Sequence, residues 1–294
     1  MDYIPAKTIV TKTKHASAWF GADYTMNIYR GCCHGCIYCD SRSLCYRIDN
    51  FDRVRAKENA LQIIRDDLNR KVQKGVVATG AMSDPYNPFE QTQSLTRHAL
   101  ELLFAYEFGV AVATKSPLIT RDIDVLQDIQ TQAPVLVKLT ITTADDALSK
   151  QIEPHVVPSS DRFRALRALS DKGIYAGVLL MPVLPWITDT EENILNIVRL
   201  AHDNGAKYIY PAFGVTLRAG QREYFYQQLA KQFPGLREQY AKRFGDRYSC
   251  ASPHAKQLHE RFAEECQKRG LRYKMPSITE DYKRPYKPPQ ITFF

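Results

Sequence analysis

The chain has 294 residues, 44% hydrophobic and 24% charged, with 40 Lys and Arg against 32 Asp and Glu for a formal charge of +8. These proportions suit a globular protein and argue against disorder outside the ends. No run of about eighteen apolar residues, apolar leader, G-x4-G-K-[ST] loop or G-x-S-x-G elbow occurs, which sets aside a membrane span, a secretory signal, a P-loop enzyme and a serine hydrolase.

In chain order, residues 24–29 (YTMNIY) form the first expected strand, followed at once by a cysteine-rich loop. Five of the seven cysteines fall within 32–45, a crowding that suits a metal site in a reducing cytoplasm better than a secreted disulfide framework. Further buried strands are expected at 75–82, 109–115, 135–143, 175–183 and 208–215, with amphipathic helices at 53–72, 92–106, 159–171 and 190–204 between them. Strands alternating with crossover helices specify a parallel sheet. Six such units predict an α/β fold built as a partial (β/α)6 barrel, whose chemistry belongs at the C-terminal strand ends, where loops vary on a rigid frame. Three more helices, 222–232, 236–244 and 253–269, predict an extension packed on the barrel. The expected divisions are a core over 1–220, a helical extension over 221–274 and an extended Pro/Tyr/Lys-rich tail over 275–294, the last for its four prolines.

The loop RGCCHGCIYCDSRS carries Cys32-x3-Cys36-x2-Cys39, a spacing that lets three thiolates of one loop reach three irons of a cubane. Fully liganded clusters take four cysteines, so three leave one iron open to a ligand that is not a protein side chain. A group bearing an amine and a carboxylate can chelate that iron. The alternative from the same residues is a zinc ion with Cys33, His34 or Cys45 as fourth ligand, although no second C-x2-C knuckle exists. Otherwise Cys33, Cys45, Cys250 and Cys266 read as small buried hydrophobes and His34 as a polar loop residue.

This cysteine spacing, with Tyr38 before the third cysteine, resembles the signature of the radical S-adenosylmethionine superfamily. The segments YRGCCHGCIYCDSRS, GAMSDPYNPFE, TKSPLITRDIDVL, LTITTADD with IEP, and MPVLPWITD resemble its spore photoproduct lyase-like branch, also labelled DNA repair photolyases, over about residues 27–190. The resemblance implies a [4Fe-4S] cluster on Cys32, Cys36 and Cys39, and one-electron cleavage of S-adenosylmethionine to a 5′-deoxyadenosyl radical that takes a hydrogen from the substrate. It implies cofactor contacts at Tyr38, at Ser83 for the amino group, and at Lys115 and Thr140 for the carboxylate and ribose. A one-electron reductant such as flavodoxin or ferredoxin is implied as well. Authentic spore photoproduct lyases carry a hydrogen-donating cysteine just before the Ser-Asp stretch, where this chain has Ala81, so a different reaction is expected and its catalytic residues are not identified.

Nucleic acid is the leading substrate class from that resemblance and from the basic excess, since polyanions bind cationic surfaces with release of counterions; the alternatives are the same chemistry on a peptide or small metabolite, or a non-catalytic iron-sulfur binding protein. Basic and aromatic residues alternate in 243–248 and 272–287, a texture that suits stacking on bases. The chain end 290–294 (QITFF), with Gln290 as polar head and Phe293 and Phe294 as apolar anchors, resembles the short peptides that hold the DNA sliding clamp.

Overall fold

The computed structural model describes residues 1–13, 19–71 and 73–286, so the clamp-like segment 290–294 lies outside the described residues. Six strands lie side by side in chain order and all parallel: β1 (Tyr24–Met26), β2 (Val76–Thr79), β3 (Gly109–Thr114), β4 (Val135–Thr140), β5 (Ala176–Leu180) and β6 (Tyr208–Pro211). The strand Val10–Lys12 pairs antiparallel outside β1 and stands at one end of the sheet; β6 stands at the other, with a parallel bridge from Tyr208 to Arg272. The barrel is therefore open on one side. Crossovers run through α1 (Ala60–Asn69), α2 (Leu95–Ala105), α3 (Ile123–Gln130), α4 (Ser159–Asp171) and α5 (Glu191–Asp203).

The β-branched residues explain the layering. Alternate side chains point to opposite faces, and Val110, Val112, Val135, Val137, Val178 and Leu180 pack outward against the helices. Ala111, Leu136, Leu179 and Tyr208 point inward. Two expected strands are divided between sheets for local reasons. Residues 24–29 divide at Asn27, because Tyr29–Arg30 leaves the barrel to pair with Arg55–Lys57 in a small three-stranded sheet with Asp2–Ile4. Residues 208–215 divide after Pro211, and Gly214–Thr216 pairs antiparallel with Ser249–Ala251.

Helices α6 (Gln221–Gln232) and α7 (Leu236–Phe244) form the first part of the expected extension. Phe225, Leu229, Tyr240 and Phe244 share a second core with Cys36, Ile37 and Tyr38, so the extension packs directly on the cysteine loop. Helix α8 (Ala255–Lys268) lies against α5, and Phe262 and Cys266 enter the main core.

The extended tail is corrected for its described part: Met275–Lys283 is helix α9, followed by a short 3-10 turn Arg284–Tyr286. Pro276 stands in the first turn, where its missing N–H is not needed, and proline content there does not oppose a helix. Ile278 and Tyr282, four residues apart, share a helix face and bury against Phe20 and Tyr208, with the Tyr282 hydroxyl donating to the Phe20 carbonyl at 2.6 Å.

Lys138 is an unexpected occupant of the barrel. It is 1% exposed on β4, its neighbours across the ladder are Ala113 and Gly177, and its Nζ lies 5.0 Å from the Phe20 ring centre. Burial lowers its pKa to about 7. The unfolded chain therefore binds the extra proton between about pH 7 and the ordinary lysine range, so this residue makes stability rise with pH there, by at most about 1.4 kcal/mol per unit. Lys138→Met is expected to raise stability at pH 7 and to reduce the gain between pH 7 and 9. Urea denaturation of both proteins at the two pH values checks this, and parallel stability curves would refute it.

Candidate cluster and cofactor site

The cysteine loop leaves the barrel at the C-terminal side of β1 and is pinned on two flanks. On one, the Cys32 N–H donates to the Phe51 carbonyl at 2.8 Å; Gly31, at φ +81°, passes so close that a Cβ would stand 2.5 Å from the Arg53 carbonyl oxygen. On the other, the Ile37 N–H donates to the Ile152 carbonyl at 3.0 Å and the His155 N–H to the His34 carbonyl at 3.2 Å. Gly35, at φ +69°, takes a conformation that L side chains rarely adopt, close against His155 and Pro154.

All three motif thiols are free; Cys32 and Cys36 are buried and Cys39 is half-buried. Burial opposes ionisation of Cys32, but the hydrogen bond and charge of His34 bring its thiol below the usual range. Burial pushes Cys36 well up and Cys39 up, with the Lys115 ammonium acting against it in both. Lys115 follows β3, with its Nζ 5.8 Å from the Tyr38 ring centre. Burial works against its charge, yet Cys36, Glu153, Asp84 and Cys39 around it raise its pKa far above the lysine range. A fixed cation thus stands among the thiols, the arrangement that favours thiolates.

Two carboxylates set this geometry. Glu153 is fully buried: the Tyr38 hydroxyl donates to one oxygen and the Arg162 guanidinium to the other. Arg162, equally buried on α4, also donates to the Thr140 carbonyl at 2.8 Å and the Ser149 hydroxyl at 2.7 Å. Burial opposes the Glu153 charge, but Arg162 and Lys115 hold its carboxyl below the usual range. Asp84, after β2, accepts from the Thr114 hydroxyl at 2.7 Å and from the Tyr86 and Lys115 N–H groups at 2.9 and 2.8 Å. His34 Nδ1 lies 3.5 Å from Asp84, so the ring bridges Cys32 and Asp84.

Tyr38, Lys115 and Thr140 are thus joined to the cysteine loop through one polar network. Ser83 also reaches it, but its hydroxyl donates to the Gly31 carbonyl at 2.6 Å and so holds the loop backbone. Ala81 is exposed at the end of β2. Glu153, Arg162 and Asp84 carry the site without having been assigned a role from sequence, and His34, read there as a polar loop residue or a fourth zinc ligand, joins them. Glu153 and Asp84 stand inside the quoted IEP and SDP motifs, the one signal available, whereas an arginine in an amphipathic helix ordinarily reads as surface. The reading of Cys45 as buried is also corrected: it is exposed, and Arg218 Nη1 donates to its Sγ at 3.5 Å, because the turn following Cys39 carries it outward. Cys33 is half-buried against the main core, and Cys250 and Cys266 are buried as expected.

The donor set fits a cluster with three protein ligands. One loop supplies three thiols and a cation stands beside them; of the candidates for a fourth ligand, Cys45 is engaged by Arg218 and Cys33 packs on the core, while His34 bridges Cys32 and Asp84. Among the described residues no three His, Cys, Asp or Glu side chains converge on a single metal ion. Beside the loop lies a cleft of about 430 Å³, with Lys115, His34, Tyr86, Gln91 and His155 in its wall. That volume is in the range of small-molecule sites.

The family model of the Radical SAM superfamily matches residues 26–201. An uncharacterized protein of Mycobacterium tuberculosis is 30% identical over 241 residues, 80% of this chain and 70% of that protein. One from Methanocaldococcus jannaschii is 32% identical over 191 residues, 64% of this chain and 69% of its own. Among solved structures, a spore photoproduct lyase mutant superposes with a TM-score of 0.69 at 15% identity, over 92% of this chain and 81% of that one. A mutant of the same enzyme with bound AdoMet and dinucleoside spore photoproduct gives 0.65 at 15% identity, over 90% and 82%. These structural likenesses establish the partial barrel.

Glu153→Gln leaves Arg162 charged and buried without its counter-ion, and is expected to cost about 3–5 kcal/mol. Urea denaturation at pH 7 measures it; a loss under about 1 kcal/mol would show that the pair does not hold the loop.

Proposed function

We propose that this chain, which belongs to the radical SAM superfamily, holds a [4Fe-4S] cluster on Cys32, Cys36 and Cys39 and acts on a base in nucleic acid. The observation that carries the reading is the placement of these three thiols and the Lys115 ammonium together at the C-terminal mouth of a parallel barrel. When bound, the cluster and S-adenosylmethionine supply one-electron cleavage of the sulfonium and a 5′-deoxyadenosyl radical.

The chain's own groups then have separable tasks. Lys115 offers its ammonium to the cofactor's carboxylate, and Thr140 stands at the end of β4 to meet the ribose. Tyr38, fixed by Glu153, walls the site beside Lys115. Ser83 anchors the loop through Gly31 and approaches the amino group from there. The barrel interior, lined by apolar and aromatic side chains apart from Lys138, favours exclusion of water.

Nucleic acid as substrate is supported by the charge of +8 and by the likeness to a lyase solved with a dinucleoside photoproduct. Ala81 offers no thiol hydrogen, so the reaction we assign is repair or modification of a base other than the spore photoproduct lyase reaction. A one-electron reductant of the flavodoxin or ferredoxin type supplies the electron.

Anaerobic reconstitution with iron and sulfide, then dithionite and S-adenosylmethionine, is expected to yield 5′-deoxyadenosine, and single-stranded oligonucleotides are expected to stimulate it. Cys36→Ala should lose the cluster absorbance while Cys250→Ala keeps it. A cluster-replete protein that makes no 5′-deoxyadenosine sinks the activity; turnover indifferent to polynucleotide and salt sinks the substrate class.

A further inference from the structure

The small sheet beside the cysteine loop carries a cluster of cations that the chemistry above does not use. Pairing of Tyr29–Arg30 with Arg55–Lys57 sets Arg30 directly opposite Arg55, and Lys57, two residues on, shares that face. Like charges placed opposite each other across a sheet repel. None of the three has a carboxylate partner among the described residues. Arg30 donates to the Arg47 carbonyl, Arg55 Nη2 donates to the Asp49 carbonyl at 2.8 Å, and the Arg55 Nε is buried with no acceptor. The half-buried Lys57 ammonium has no hydrogen-bond partner in the described structure; burial and the Arg30 charge both lower it. The acid it senses, Asp67, is already committed to the Thr8 hydroxyl and the Ile9 and Val10 N–H groups at 2.7–2.9 Å.

Arg30 and Lys57 line a cleft of about 210 Å³ with Asn27, Tyr29, Tyr46 and Met82. Gly31, whose carbonyl accepts from Ser83, also lines it. The volume falls below that of pockets for whole drug-sized ligands and suits a single charged group.

We propose that this cleft binds one phosphodiester of a nucleic-acid strand, which rests on the substrate class proposed above. A phosphate supplies the missing counter-charge, and the arginine fork and lysine ammonium are its ordinary partners. Bound there, the strand is held beside the loop at the barrel mouth, and the contact is to backbone, so it positions the strand without reading sequence.

Lys57→Gln tests the assignment, because the ammonium it removes supports no other group. Two readouts on the reconstituted protein are needed. In thermal melts, inorganic phosphate is expected to raise the Tm of the wild type more than that of the variant. In anisotropy titrations with a labelled single-stranded oligonucleotide, the variant should bind about five- to tenfold more weakly near 0.1 M salt, with the slope of log K against log salt smaller by about 0.7. Equal phosphate effects on both proteins overturn the cleft as an anion site. Selective phosphate protection with unchanged oligonucleotide binding overturns the strand and leaves a small phosphate-bearing ligand. A raised KM for S-adenosylmethionine would place the cofactor's carboxylate there and overturn the assignment too. Should the wild type bind no oligonucleotide at all, the nucleic-acid reading itself fails and the strand with it, while the melts still report on the cleft.

Discussion

A loop of cysteines has no ladder of its own to hold it, so the site depends on the buried ion pair between Glu153 and Arg162. Glu153 receives the Tyr38 hydroxyl, and Arg162 is tied to the Thr140 carbonyl at 2.8 Å, so the pair joins the third cysteine's neighbour to the end of β4. In energetic terms a buried pair is a poor investment, since well-packed apolar residues of similar volume often stabilise as much or more. Its return is positional. An apolar contact would leave Tyr38 free to slide, whereas a carboxylate with both oxygens engaged fixes the ring's direction. The backbone bonds from Cys32 to Phe51 and from Ile37 to Ile152 then locate the loop between two parts of the fold that are distant in sequence.

Asp84 does for the opposite wall what Glu153 does for this one. Its oxygens take the Thr114 hydroxyl and the Lys115 N–H, which locks the loop after β2 to the end of β3 and fixes the root of the Lys115 side chain. The two carboxylates also tune the field. Lys115 stays charged despite burial because Glu153 and Asp84 stand near it along with Cys36 and Cys39. A cation held by carboxylates rather than by solvent remains in place to oppose the charge of thiolates, which is where burial alone would keep the thiols protonated.

The outline of both fold and site was legible from local pattern. The cysteine spacing marked the loop that the fold sets at the barrel mouth, and the alternation of β-branched runs with amphipathic stretches located six strands, with α4 found at the very bounds the periodicity indicates. What stayed hidden was whatever depends on a partner far along the chain. Arg162 sits on a helix where charged residues usually face water, and only Glu153 makes its burial tolerable. Lys138 interrupts a strand that otherwise reads as apolar, and the small Ala113 and Gly177 that make room for it lie on other strands. The tail was misread because proline count carries no position: Pro276 at a helix start and Pro285 after its end are compatible with the helix that Ile278 and Tyr282 bury.

The turn after β2 shows how a barrel of this architecture can be kept while its chemistry changes. Gly80, at φ +96°, passes so near β3 that a Cβ would lie 1.8 Å from the Ala113 carbonyl oxygen, so no other residue fits without moving a strand. From that fixed point the chain sends Ala81 to an exposed position and turns Ser83 inward onto Gly31. The backbone path is held by Gly80, Ser83 and Asp84, while the side chain at 81 is exposed. An exposed side chain at 81 can change in chemistry with little effect on the fold, and on the proposed reading its methyl group confines the chain's role there to shape, leaving the return of a hydrogen atom to some other group or to a reaction that needs none.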